Sequence, residues 1–276
     1  MPLQQVTPAR LNDLYAELLE RGRVDGQALS AGSVRQVHLV LHGALGAAVR
    51  WGYTMRNMAA FADPPRASAA RERVWTADEL RRFLEGIEEE RLYPLFLTLA
   101  ATGMRRGEAL GARWEDVDLD AGRWQVRRTL LPVAGRVVEG TPKSARGLRN
   151  VALDPLTVRT LKQWRKTQLE ERLAWGAAWT DSGRVFTRED GTDLHPSRVS
   201  ETFDRLVKRS GLARVRLHDL PHGHATLALA AGVHPRVVQE RLGHTSVAFT
   251  LDRYSHVVPA MQEDATATVA RLVGLD

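Results

Sequence analysis

Three histidines fall within seven positions in the stretch HDLPHGH, residues 218–224, with a proline among them. Histidine ligates metals, moves protons and bridges packed elements, so the stretch has three readings. A metal site would have to gather His218, His222 and His224 around one ion. Pro221 disfavours helix at the residue before it, which leaves His218 ahead of a helix whose first turns carry His222 and His224, two apart and pointing in different directions. The spacing HxxxHxH has none of the specificity of an HExxH pair. As structural groups, His222 and His224 would cap or bridge packed helices. The third reading, a phosphate site, rests on what lies downstream of His218: His244 follows a glycine stop in LGH, and Tyr254 comes one short helix later in YSH.

Helices and turns must position these side chains, and the pattern supplies them. Leu11, Leu14, Tyr15, Leu18 and Leu19 recur at helical offsets from Pro8 to Arg21. A second helix follows Ser30 or Ser33, with Val34, Val37, Leu41, Leu45 and Ala48 on one face. The stretch ADPPRASAARERV has no apolar period and reads as a linker, which sets a domain boundary near residue 66. Beyond it, Thr76 and Glu79 have capping-box spacing, and LYPLFLTLAA, residues 92–101, is apolar all round, a buried helix delivering the turn TGMRRGE. GRWQVRRTL, GRVVEG and GLRNVAL are short β-like runs of a small antiparallel sheet, with Lys143 in the connection between the last two. Helices resume after Asp154 and after His195-Pro196. Prolines 221 and 235 and glycines 232 and 243 then delimit helices over about 220–231, 235–242 and 246–255.

Composition narrows the class of protein. The 276 residues are 43% hydrophobic and 26% charged, with no cysteine, which suits a soluble globular chain and excludes disulfides, thiolate chemistry and sulfur-ligated zinc. The net charge of +6 is carried almost wholly by arginine, whose planar fork fits phosphate, so nucleic acid is the leading partner; a genome's coding bias gives the same composition. No apolar run approaches eighteen residues, and the N-terminus lacks the features of a signal peptide, so no membrane partner and a cytoplasmic location are expected.

Taken in order, TGMRRGEALGARWEDVD, TPKSARGLRNVAL and HDLPHGHATLALAAGVHPRVVQERLGHTSVAFTLDRYSHV closely resemble the tyrosine recombinases, the phage integrase family. The resemblance runs from about residue 7 to the end. It implies a mainly α (α+β) fold: a short helical core-binding domain over residues 1–65, then a mostly helical catalytic domain with a small antiparallel β-sheet over 66–276. It also implies roles. Arg105 would contact the scissile phosphate with Glu108 as its supporting acid, Lys143 would protonate the leaving 5′-oxygen, His218 and His244 would complete the site, and Tyr254 would be the nucleophile. No metal and no cofactor are implied, and the partners would be double-stranded DNA and further copies of the chain assembled on it.

Two departures modify these expectations. The family places a second phosphate-binding arginine three residues after the first histidine, and here that residue is Pro221. In a helix's first turn proline is tolerated, because its missing N–H is not needed there, so fold is expected to survive while strand transfer is impaired, unless Arg214 or Arg216 substitutes. A catalytically inactive DNA-binding member of the family is the alternative. The second departure is a core-binding domain shorter than usual at its N-terminal end, and a weaker, more salt-sensitive grip on DNA is expected from it. At the other end, Met261, Ala265, Val269, Leu272 and Val273 form a helical stripe expected to dock on a neighbouring protomer.

Overall fold

The computed structural model of the chain describes residues 2–66, 73–133, 135–141, 147–244, 246–248 and 251. It divides into two compact units, Met1–Arg71 and Glu72–Asp276.

The first unit is an α-helical hairpin. Helix α1 (Pro8–Arg21) starts where the Thr7 hydroxyl accepts the Arg10 N–H, with proline in its first turn, and α2 (Ala31–Arg50) is capped in the same way by Ser30. Their apolar stripes meet in a core of Leu11, Tyr15, Val34, Leu45 and Ala59. The Tyr15 hydroxyl reaches His38 Nδ1 at 2.9 Å. The Asp63 N–H donates to Asn12 Oδ1 at 2.8 Å, which ties the end of the unit back to α1.

The second unit opens with α3 (Ala77–Glu85), held by the reciprocal bonds of the Thr76–Glu79 capping box. Helix α4 (Tyr93–Thr102) is buried along most of its length, as its uniformly apolar sequence requires. It ends at Gly103, whose φ of +68° and whose closeness to His224 and Leu242 both demand glycine: a Cβ there would lie 2.6 Å from Leu242 and 2.8 Å from His224. The short helix α5 (Arg106–Gly111) follows directly.

Five strands come next: β1 (Val117–Asp118), β2 (Arg123–Val126), β3 (Thr129–Val133), β4 (Arg136–Gly140) and β5 (Arg149–Ala152). They are antiparallel throughout but form two groups, a three-stranded sheet β1-β2-β5 and a hairpin β3-β4. The run GRWQVRRTL, one β segment by its pattern, divides between them. Arg128 leaves the ladder at that point to reach Glu115 at 2.6 Å and the buried Asp116, so the strand direction is lost where its side chain is needed elsewhere.

Helices α6 (Pro155–Trp175), α7 (Pro196–Ser210), α8 (Leu220–Ala230) and α9 (Pro235–Leu242) complete the described fold. The main core gathers Trp75, Phe83, Phe96 and Phe203 beneath α4, with Trp124, Trp164 and Phe186 on the sheet side. Helices α8 and α9 share a separate small core of Ala225, Leu229, Val238 and Leu242. Most of the helix expected over 246–255, and the stripe from Met261 to Val273, lie outside the described residues. Among those described, no helix is long and apolar enough to cross a membrane.

Candidate active site

Arg105 stands at the N-cap of α5, in extended backbone immediately after the α4 stop. Its own N–H donates to Glu108 Oε2 at 2.9 Å, and its guanidinium donates from Nη1 to Glu108 Oε1 at 3.0 Å and to the Leu242 carbonyl at 3.2 Å. The side chain remains 53% exposed. Its Nε and Nη2 make no hydrogen bond among the described residues.

Glu108 is buried, and a buried carboxylate must be paired. Its second cation is Arg149, at the start of β5, which donates to both oxygens at 3.0 and 2.8 Å. Burial pushes the Glu108 carboxyl up, but the bonds and charge of Arg149, with Arg105 behind them, outweigh it and hold the carboxyl below its ordinary value. Arg149 also donates from Nε to the Arg241 carbonyl at 2.7 Å and from Nη1 to the Gly147 carbonyl at 3.2 Å.

The carbonyls of Arg241 and Leu242 belong to the last turn of α9, where a helix has no partners of its own for them. Both are taken by guanidinium groups of the Glu108 cluster. Gly243 then reverses the chain with φ +66°, and the His244 N–H donates to the Gln239 carbonyl at 3.0 Å. His244 is buried, 7% exposed. The structure thus brings Arg105, Glu108 and the backbone carrying His244 to one point.

His224 secures the same region from α8. Its Nδ1–H donates to the Ala100 carbonyl at 3.1 Å and its Nε2 accepts from Arg241 Nε at 3.1 Å, while Arg241 Nη2 donates to the Ala101 carbonyl at 3.0 Å. Burial and the neighbouring Arg241 charge push its pKa down to about 4. With both ring nitrogens engaged, this neutral histidine bridges three helices and has no lone pair left for a metal ion.

His218 lies in a single 3-10 turn (Leu217–Asp219) ahead of α8, with its side chain 62% exposed and its Nε2 4.0 Å from Asp219. Among the described residues no hydrogen bond or ion pair joins it to the Arg105 cluster. Pro221 occupies the second position of α8, in the first turn. Arg216 is held by both oxygens of Asp219 at 2.9 Å, and Arg214 lies 4.0 Å from Asp204. Arg216 is therefore directed to a carboxylate, while the Arg214 side chain is largely exposed. Lys143 and Tyr254 lie outside the described residues. Arg149 had no assigned part in the sequence reading although it sits inside the quoted GLRNVAL run; its partners are 41 and 92 positions away, and no local pattern announces them.

Chemically, the cluster offers a half-exposed guanidinium on a buried, charge-compensated base beside the turn that carries His244. That arrangement suits an anion whose charge changes during reaction.

The model described as the phage integrase family matches residues 73–261. A tyrosine recombinase XerC-like protein of Caldanaerobacter subterraneus subsp. tengcongensis is 30% identical over 71% of this chain. The ICEBs1 integrase of Bacillus subtilis is 28% identical over 95% of it. The chain spans 53% of the length of the former and 70% of the latter. Among solved structures, the Tn1549 transposon integrase in complex with transposon right end DNA is similar in fold, with a TM-score of 0.78 at 20% identity over 99% of this chain and 87% of that one. A lambda integrase dimer bound to a COC' core site gives a TM-score of 0.62 at 19% identity over 92% and 81%.

Proposed function

This chain belongs to the phage integrase family, and from that premise we propose that it breaks and rejoins duplex DNA through a 3′-phosphotyrosyl intermediate. The observation that carries the reading is the Arg105–Glu108–Arg149 cluster, joined through two helix-end carbonyls to the turn that bears His244. In the proposed step the Tyr254 hydroxyl attacks the scissile phosphorus, a tyrosyl ester forms, the bond to the 5′-oxygen breaks, and Lys143 gives that oxygen its proton. Arg105 meets charge on the non-bridging oxygens, and the histidines take up the proton that the phenol, largely protonated at neutral pH, loses as it attacks. Duplex DNA as partner is supported by the solved structures of similar fold, which are complexes with DNA. Assembly of several copies on that DNA, the core-binding part for residues 1–65 and the catalytic part for 66–276 belong to the same proposal.

Pro221 favours a reduced rate, because the second phosphate-binding cation expected at that position is replaced by a ring without a donor, and Arg216 is bound to both oxygens of Asp219. A missing preorganised donor costs about 10²–10³-fold in rate. A DNA-binding member without strand transfer is the second reading, favoured by the same observation.

The test is covalent capture on a nicked duplex, its sequence enriched from a random pool by affinity for the protein. Pro221→Arg is expected to raise the rate of adduct formation at least about tenfold, and Tyr254→Phe to abolish the adduct in either background while binding stays nearly unchanged. An undiminished adduct in Tyr254→Phe overturns the nucleophile. Tight binding with no adduct from Pro221→Arg selects the second reading.

A further inference from the structure

We infer that Arg149 is a positioning residue that sets His244 relative to Arg105 by fastening the C-terminal end of α9 to the Glu108 carboxylate. The inference rests on the strand-transfer reading for its consequence, but its geometry stands independently.

Arg149 is nearly sealed from solvent, with its side chain 6% exposed, and all three guanidinium nitrogens are used. Two bind the oxygens of Glu108 and the third binds the Arg241 carbonyl, so one planar group faces α5 in one direction and α9 in the other. The attachment matters because α8 and α9 share a buried core of only four residues. Beside the Leu242 side chain packed near Gly103, a polar set holds the end of α9: Arg149 on the Arg241 carbonyl, Arg105 on the Leu242 carbonyl, and Arg241 on His224 and the Ala101 carbonyl. His244 is two residues beyond the last of these anchors.

Loss of the fork has two effects in the same direction. Glu108 retains Arg105 as its one guanidinium partner, which draws that half-exposed group inward, and the end of α9 loses the shorter of its two guanidinium bonds, which lets His244 drift. Lysine carries the charge but not the planar, two-directional geometry.

The experiment uses the full chain in the Pro221→Arg background with the nicked duplex above. Arg149→Lys is expected to lower the adduct rate constant at saturating duplex about 10²-fold, the effect of a small misplacement of reacting groups. Duplex affinity is expected to change less than about threefold, since a buried arginine neutralises no phosphate. Without DNA, the amide protons of Gly243 and His244 are expected to exchange about tenfold faster. Exogenous guanidinium ion is expected to restore part of the activity of Arg149→Ala; where that variant fails to fold, Arg149→Lys carries the test. Arg91→Ala, which removes the Arg91–Glu171 pair away from this cluster, is expected to leave the adduct rate unchanged.

Unchanged adduct rate and unchanged exchange in Arg149→Lys overturn the inference, as does an affinity that falls in step with the rate, which would make Arg149 a contact to the duplex. Faster exchange in Arg149→Lys with no adduct from any variant, Pro221→Arg included, leaves the fastening role standing and overturns the strand-transfer reading instead.

Discussion

The two sides of the candidate site are built in opposite ways. On the Arg105 side, a buried carboxylate is shared by two guanidinium groups, and both reach on to helix-end carbonyls. On the His218 side, the imidazole is exposed in a single turn, Pro221 stands where a cation is expected, and Arg216 is already bound to Asp219. The difference teaches where sequence change is tolerated. A member of the buried cluster has several partners that would be left uncompensated, whereas the residue at 221 has only to start a helix, which proline does well. Decay of chemistry can therefore begin on the exposed side without reaching the fold.

The largest expected effect tests the first half of that comparison. Glu108→Ala leaves the buried Arg149 without its counter-charge and should lower stability by about 3–5 kcal/mol, measured by urea unfolding of the whole chain. A loss under about 1 kcal/mol would mean the cluster is no more than a solvated ion pair, and the contrast between the two sides would collapse.

A somewhat smaller effect reads the anchoring of α8. Folded His224 titrates near 4 and the unfolded group near 6.5, so between those values the unfolded chain binds a proton that the folded chain refuses. Its contribution is complete above pH 6.5 and is lost as pH falls toward 4, by up to about 3 kcal/mol. Glu108, whose carboxyl is held below its ordinary value, adds to the same acid loss only below its unfolded value of 4.5. His224→Gln, which keeps one donor and one acceptor, should flatten the upper part of the pH profile. A profile of unchanged steepness would show that His224 takes up its proton equally in the folded and unfolded chains, and that burial and Arg241 do not oppose it.

Much of this was legible in the sequence wherever the cause was local. The Thr76–Glu79 box, the apolar run that became α4, and the proline and glycine that bound α9 act through neighbours within four positions. Arg105 and Glu108 were legible through the family resemblance of TGMRRGE, and the pair is local, an N-cap and a residue three positions on in the same short helix. Arg149 was not, since its partners come from α5 and α9. The split of the β run at Arg127–Arg128 was hidden for the same reason: a tertiary ion pair with Asp116 and Glu115 overrides a continuous local β pattern. His222 and His224 share a motif and are both partly buried, yet only the packing of α8 on α4 and α9 makes His224 the bridge.

The smallest expected effect is the sharpest test of the second half of the comparison. At the second position of α8 the N–H of residue 221 has no intrahelical partner, so Pro221→Arg forfeits no helical hydrogen bond. It restores freedom to the unfolded chain, which lowers stability by about 0.4–1 kcal/mol. It also places a positive charge at a helix N-terminus, unfavourable by about 0.3–1 kcal/mol at an exposed site. Residue 221 is only partly buried, so the longer side chain has a path to solvent. The expected outcome is a fall in melting temperature of a few degrees for a unit of this size, alongside the rise in adduct rate. A loss above about 3 kcal/mol would show that the ring packs as part of the fold, and that this side of the site was rebuilt around proline rather than left vacant of a cation. Neutral stability with a large gain in rate would instead separate the two functions of residue 221, helix start and phosphate contact, and show that only the second had been lost.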